Sequence, residues 1–317
     1  MTGTVFDILI REPYLTLRFF NLAINGHKHV GRMFFCADGK FAHGGMFDRL
    51  KGAISIYAAS KVLKRDFRIN FTSPFQLEKY IEPNEYDWRV RNGEYNENML
   101  KSRLIFMYGE CDNPYRLLEK RKKDAHFYYG FDSLDYINKR CGTSFVWGDL
   151  YRELFKPTAY LQKFIDEEKT KIGTDYIAIH LRFMNLLGDK MEFDCDPTLP
   201  YDEQEKLKKC ALMEMQKVVD ENGGLKVLLA TDSRNFAEYA NAEIPDLYMI
   251  SGEIRHIGTV DEMSDEANIK MFLDYYMIAG AKKVYNLVGP GMWKSAFSEY
   301  AAKIGGCIFE RKFFEIM

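Results

Sequence analysis

The 317-residue chain has no C-x-x-C pair, no unbroken apolar run of membrane-spanning length and no surplus of either charge. Its six cysteines (Cys36, Cys111, Cys141, Cys195, Cys210, Cys307) are scattered. A disulfide framework or a zinc site needs tighter clustering, so this spacing argues for a reducing compartment. The stretch Val5–Ile24 is apolar but broken by Asp7, Arg11, Glu12, Pro13 and Arg18. Those breaks exclude a signal-peptide core and a membrane span. They leave an amphipathic element that rests on the protein itself, with peripheral membrane contact as the other reading. A formal net charge of -2 gives no basic excess to neutralise a nucleic-acid backbone, so that partner is excluded.

What is present is enough apolar material for a large core. Hydrophobic residues make up 47% and charged residues 28%, and the length suits two domains. Aromatic content reaches 15%, with 20 Tyr and 24 Phe. Such rings suit sugar faces, but they suit a core first.

The pattern along the chain is α/β. Apolar Arg32–Cys36 precedes a loop with three glycines, Ala37–Gly45, and then a helix over Phe47–Leu63. Strands are expected at Arg68–Phe71 and Lys101–Tyr108. A boundary falls near Phe155–Pro157, dividing the chain into domains of residues 1–155 and 156–317. The second half alternates more cleanly. Strands Tyr176–Leu181, Lys226–Ala230 and Lys283–Val288 are separated by helices over Ala159–Lys171, Asp202–Asn222, from Asn235, and over Asp265–Ala279. A last helix spans Lys294–Ile304. Strands alternating with helices predict a parallel, doubly wound sheet.

In such sheets ligands sit outside the carboxyl ends of the strands. Three of those ends are polar. In Ile179-His180-Leu181-Arg182, residues two apart share one face, so His180 and Arg182 project together. A guanidinium there offers a planar fork suited to a diphosphate, or else pairs with a carboxylate such as Asp189. In Thr231-Asp232-Ser233, Asp or Ser caps the next helix, or a carboxylate accepts two N–H groups from a guanine edge. In Gly289-Pro290-Gly291-Met292-Trp293-Lys294-Ser295, the small residues allow close backbone approach and the helix start favours an anion. Lys294-Ser295 matches the tail of a P-loop, but Trp293 stands where that motif requires glycine, which excludes a kinase or ATPase of that type. In the first half, Gly44-Gly45-Met46-Phe47-Asp48-Arg49 opens a helix. It is either a ligand-facing loop or an ordinary one, with Asp48 in the first turn. The triplet Asp194-Cys195-Asp196 is of a kind that arises about once per chain by chance and is discounted as a metal site.

Taken in order, Gly44–Leu50, Leu154–Pro157, Ile179–Arg182, Leu229–Asp232 and Ser295–Ser298 resemble the fucosyltransferase superfamily of α1,2-, α1,6-, nodulation and protein O-fucosyltransferases. The resemblance implies a GT-B fold of two Rossmann-like domains facing across a cleft. The first would be the acceptor side and the second would hold a GDP-sugar. It further implies inverting, metal-independent fucosyl transfer to a glycan, with no cofactor. Carried over by position, Arg182 binds the β-phosphate, while His180 and Asp232 contact the nucleotide, Asp232 on guanine. Ser295, Phe297 and Ser298 line the pocket, and Gly44, Gly45, Arg49, Thr231 and Ser233 complete the binding set. Asp48 stands where many members carry Asn, close to both substrates.

Two departures stand out. The α1,2/α1,6 motif is His-x-Arg-Arg-x-Asp, yet Phe183 replaces the second Arg and the Asp is missing, with Asp189 further on. The chain also lacks an N-terminal anchor, so the expectation is a cytoplasmic bacterial enzyme that builds a surface polysaccharide. Asp48 and Asp189 are both open as the base. A transferase using another nucleotide sugar, or a non-catalytic glycan- or nucleotide-binding protein on the same scaffold, are the alternatives.

Overall fold

A computed structural model describes residues 12–18, 31–41, 43–107, 114–189, 197–223, 225–252 and 264–316. The chain divides into two compact units, one running to Thr158 and the other beginning at Ala159.

The first unit opens with a short helix, α1 (Glu12–Arg18). It seats Leu15 in a cluster with Phe34, Cys36, Phe41, Phe106 and Tyr128, while Tyr14 and Leu17 stay exposed. Leu15 thus rests on protein, while residues 5–11 and 19–24 of the broken N-terminal run lie outside the described residues. Its sheet comprises β1 (Met33–Ala37), β2 (Phe67–Phe71), β4 (Ser102–Phe106) and β5 (Asp124–Tyr128), in the order β2-β1-β5-β4. Every pairing in it is parallel. A separate antiparallel pair joins β3 (Ile81–Pro83) to β6 (Phe155–Pro157). Helix α2 (Met46–Leu63) packs so close to the chain after β5 that a Cβ on Gly52 would come within 2.0 Å of the Tyr129 carbonyl oxygen. Only glycine allows that approach. Helices α3 (Leu134–Cys141) and α4 (Trp147–Leu154) complete the unit.

The second unit carries α5 (Ala159–Ile172), β7 (Tyr176–Leu181), α6 (Tyr201–Glu221), β8 (Lys226–Thr231), α7 (Arg234–Glu243) and β9 (Leu247–Tyr248). Helix α8 (Asp265–Ala279), β10 (Lys283–Val288), α9 (Phe297–Gly305) and β11 (Ile308–Phe313) follow. All its strands run parallel, in the order β11-β10-β7-β8-β9. From β7 the chain proceeds to β8 on one side. From β10, next to β7, it proceeds to β11 on the other. The two connections leave in opposite directions, which opens a crevice at the carboxyl ends of β7 and β10. The strands β7 and β10 bury nearly every residue, as parallel strands covered on both faces do.

The strands and helices expected in the second half are present, with two differences. Helix α9 begins at Phe297 rather than Lys294, because Ser295 turns back to accept the Phe297 N–H on its Oγ (3.2 Å). Strands β9 and β11 are additions, as are β5, α3 and α4 in the first unit.

Candidate functional site

At the end of β7, His180 is only 7% exposed. Its Nδ1 lies 3.0 Å from the Ser298 Oγ and its ring 5.5 Å from that of Phe297. Three expected site residues therefore meet here. Burial lowers the His180 pKa to about 3, and the nearby Arg182 and Arg311 guanidiniums push the same way. The imidazole is neutral at physiological pH. It supports the crevice from within rather than presenting a charge to it.

Two residues on, Arg182 is half-buried, with its Nε 2.8 Å from the Met184 sulfur. Its carbonyl accepts the Trp293 N–H (3.1 Å), tying the segment after β7 to the glycine-bearing loop after β10. Trp293, which excluded a P-loop, thus shapes the mouth of the crevice through its backbone. Ser295 is buried in the same loop.

Asp232, expected on a guanine edge, takes part in the turn after β7. Its two oxygens accept the backbone N–H groups of Phe183 (2.7 Å) and Met184 (2.9 Å). That pair of bonds fixes the turn after β7, where Met184 takes a left-handed φ of 56°. Such a φ is unfavourable for a residue with a side chain, and the half-buried carboxylate clamp offsets it. Phe183 explains why the turn is built this way: it is 0% exposed and packs on Phe236, with ring centroids 4.7 Å apart. The position that carries a second arginine in the motif belongs here to the hydrophobic core.

Ser233 also proves structural. It is fully buried as the N-cap of α7, its Oγ accepting the Phe236 N–H (3.1 Å) and donating to Asp189 Oδ2 (2.8 Å). Asp189 Oδ2 further accepts the Asn235 N–H (2.7 Å). An acid at that helix start is favourable and the cap satisfies an otherwise orphan donor. Asp189 is therefore a capping carboxylate, not a partner held for Arg182. Thr231 ends β8 and accepts the Ser233 N–H on its Oγ1 (3.3 Å).

In the first unit, Gly45 begins α2, its carbonyl accepting the N–H groups of Asp48 (3.1 Å) and Arg49 (3.2 Å). A Cβ on Gly44 would come within 2.7 Å of Asp48 Oδ2. Arg49, expected to bind substrate, is instead buried and donates to the carbonyls of Gly44 (3.1 Å) and Ser73 (2.6 Å). Burial depresses its pKa to about 10, so it stays charged while it holds the loop. Asp48 remains open to solvent, with 46% of its side chain exposed and Lys51 Nζ 2.9 Å away.

One residue that the sequence did not single out completes the picture. Arg311 lies on β11, whose register places it beside Asn286 of β10, which in turn pairs with His180 of β7. Its Nε donates to Asn286 Oδ1 (2.8 Å) and one terminal nitrogen, Nη2, to the Ser295 carbonyl (3.1 Å). Asn286 is fully buried and donates to the His180 carbonyl (3.2 Å). In Ile308-Phe309-Glu310-Arg311 two apolar residues precede two charged ones, and no period of two marks the strand.

Among the described residues no cluster of three or more His, Cys, Asp or Glu could hold a metal ion, and no helix is long and apolar enough to cross a membrane. The Asp194–Asp196 triplet lies outside the described residues.

No family model and no curated protein matches the sequence. Solved structures do match in shape. The fucosyltransferase NodZ from Bradyrhizobium is 16% identical over 87% of this chain and 92% of its own, with a TM-score of 0.57. NodZ α-1,6-fucosyltransferase soaked with GDP-fucose gives 15% identity, 87% and 93% coverage and a TM-score of 0.56. Arabidopsis thaliana FUT1, as a mutant in complex with GDP, gives 12% identity, 95% and 74% coverage and a TM-score of 0.56. At such identities the likeness is one of architecture, and on that ground the chain has the fold of these fucosyltransferases.

Proposed function

We propose that the chain is an inverting, metal-independent glycosyltransferase that moves fucose from GDP-fucose to a glycan. The second unit takes the nucleotide sugar and the first serves the acceptor. The observation that carries this reading is Arg182, a half-buried guanidinium at the switch point of a parallel sheet, in a fold shared with proteins solved with GDP-fucose and GDP.

The reaction breaks the bond between the anomeric carbon and the β-phosphate oxygen, and the electron pair leaves with GDP. The acceptor oxygen attacks from the opposite face and loses its proton to a base. Charge grows on the departing diphosphate, so fixed cations aimed there lower the barrier. Arg182, at the end of β7, is the cation assigned to that work. For the base, Asp48 is the better candidate, because it is exposed while Asp189 is committed to the start of α7.

Replacing Arg182 by Ala tests the reading. Transfer is expected to fall by about 100-fold or more with the fold intact. Turnover within about tenfold of the parent would remove Arg182 from the mechanism. Thermal shifts with GDP, UDP and ADP identify the donor base.

One observation favours a second reading. Phe183 puts hydrophobic core where the motif has a second cation, which suits a protein that binds a nucleotide or glycan without transfer. Slow hydrolysis of GDP-fucose without acceptor, abolished by Arg182→Ala, would decide against it.

A further inference from the structure

With Phe183 turned into the core, the turn after β7 offers one guanidinium to a ligand that carries two phosphates. We infer that Arg311, delivered by β11, is the second cation of the same anion site and takes a phosphate oxygen of a bound nucleoside diphosphate. The inference rests on the proposed donor site and adds a residue to it.

The geometry supports it in three ways. First, the register sets His180, Asn286 and Arg311 side by side on β7, β10 and β11, near the carboxyl end of the sheet. Paired residues of adjacent strands share a face, so Arg311 lies on the His180 side. Second, the guanidinium is held but not saturated. Nε goes to Asn286 and Nη2 to the Ser295 carbonyl and, at 3.4 Å, to Glu299. Nη1 has no hydrogen-bond partner among the described residues, and a quarter of the side chain (25%) is exposed. A fork fixed along one edge with the other edge open is prepared to receive an oxyanion, because its rotamer entropy is already lost. Third, Arg182 and Arg311 both act on the buried His180 imidazole, which places two positive groups around one neutral ring. Glu299, itself paired with Lys303 (3.1 Å), neutralises Arg311 only in part.

The test measures GDP and guanosine binding by calorimetry on the full chain and on Arg311→Gln, Arg311→Lys and Glu299→Gln. Loss of a charge-assisted contact predicts that Arg311→Gln weakens GDP by about 10- to 100-fold and guanosine by less than about twofold. Arg311→Lys, which keeps the charge without the fork, is expected to recover part of the loss. Glu299→Gln, which leaves Arg311 in place with less neutralisation, is expected to tighten GDP by about two- to threefold. Should Arg311→Gln fail to fold, the Lys and Glu299 variants carry the test. Equal losses for guanosine and GDP would make Arg311 a scaffold for the Ser295 loop and overturn the inference, as would unchanged GDP binding in all three variants. A parent chain that binds no nucleoside diphosphate overturns this inference and the proposed function together, whereas a parent that binds GDP indifferently to Arg311 overturns this inference alone.

Discussion

At the carboxyl end of β1 in the first unit, Asp38 accepts the Tyr128 hydroxyl (3.2 Å) and pairs with Lys40 (3.1 Å), which also reaches Glu97. At the carboxyl end of β7 in the second unit stand Arg182, a neutral His180 and, across two strands, Arg311. Both sheets are parallel and both put polar side chains at the edge where α/β proteins bind ligands. In the first, one ammonium lies between two carboxylates, and aromatic neighbours such as Tyr95 and Phe106 cover the group. In the second, the carboxylates serve the backbone instead. Asp232 holds the turn, Asp189 caps α7, and Glu299 offsets Arg311 only in part. A hydrogen-bonded set of charges under aromatic cover contributes stability, whereas a partly exposed pair of guanidiniums attracts an anion.

The sharpest way to break that comparison is to force charge into the second unit's core. Phe183→Arg would bury a cation against Phe236 and is expected to cost about 3 kcal/mol or more in urea unfolding. A loss below about 1 kcal/mol with tighter GDP binding would mean that the position can face the crevice after all. Next in size, Asp38→Ala strips Lys40 and Tyr128 of a partner, with an expected cost of about 2 kcal/mol and GDP affinity unchanged within about twofold. If stability held and glycan binding fell, the first-unit cluster would be a ligand site rather than a structural one.

Acid sharpens the contrast more gently. His43, His126 and His180 each have a folded pKa of about 3, because burial disfavours the imidazolium. In the unfolded chain each binds a proton near pH 6.5, so the stability is complete above that pH and drains as pH falls toward 3. Each histidine contributes a slope of about 1.4 kcal/mol per pH unit in that window. Two of these three imidazoles lie in the first unit, so their share of the acid slope there is about twice that in the second. His180→Gln should flatten the curve by one such share; an unaltered slope in pH-dependent melts would show that the ring is protonated in the fold.

Much of this architecture was legible beforehand. Helix Asp265–Ala279 and strands Tyr176–Leu181 and Lys283–Val288 match their expected bounds, because long periodic segments with clear caps and apolar runs report themselves locally. Strand β5 did not, since Asp124 and His126 read as polar although the strand is wholly buried. Strand β11 did not, since Glu310, Arg311 and Lys312 suggest a surface loop. The site divides the same way. His180, Phe297 and Ser298 were foreseen and meet, while Asp232, Ser233 and Arg49 were foreseen as ligand contacts and turn out to hold backbone.

By itself the sequence determined the alternation of strands and helices, and hence that polar strand ends such as His180 and Arg182 would sit at a sheet's carboxyl edge. Those are consequences of periods of about two and 3.6 residues, which need no partner to be read. Strand order and register were decided only by the tertiary structure, and with them which carboxylates accept backbone N–H groups and which cations gather at the sheet's edge. Arg311 reaches the site because β11 pairs with β10 in one register and no other. A hydrogen-bonded register is settled by the burial of whole strands against one another, and no single segment carries that information.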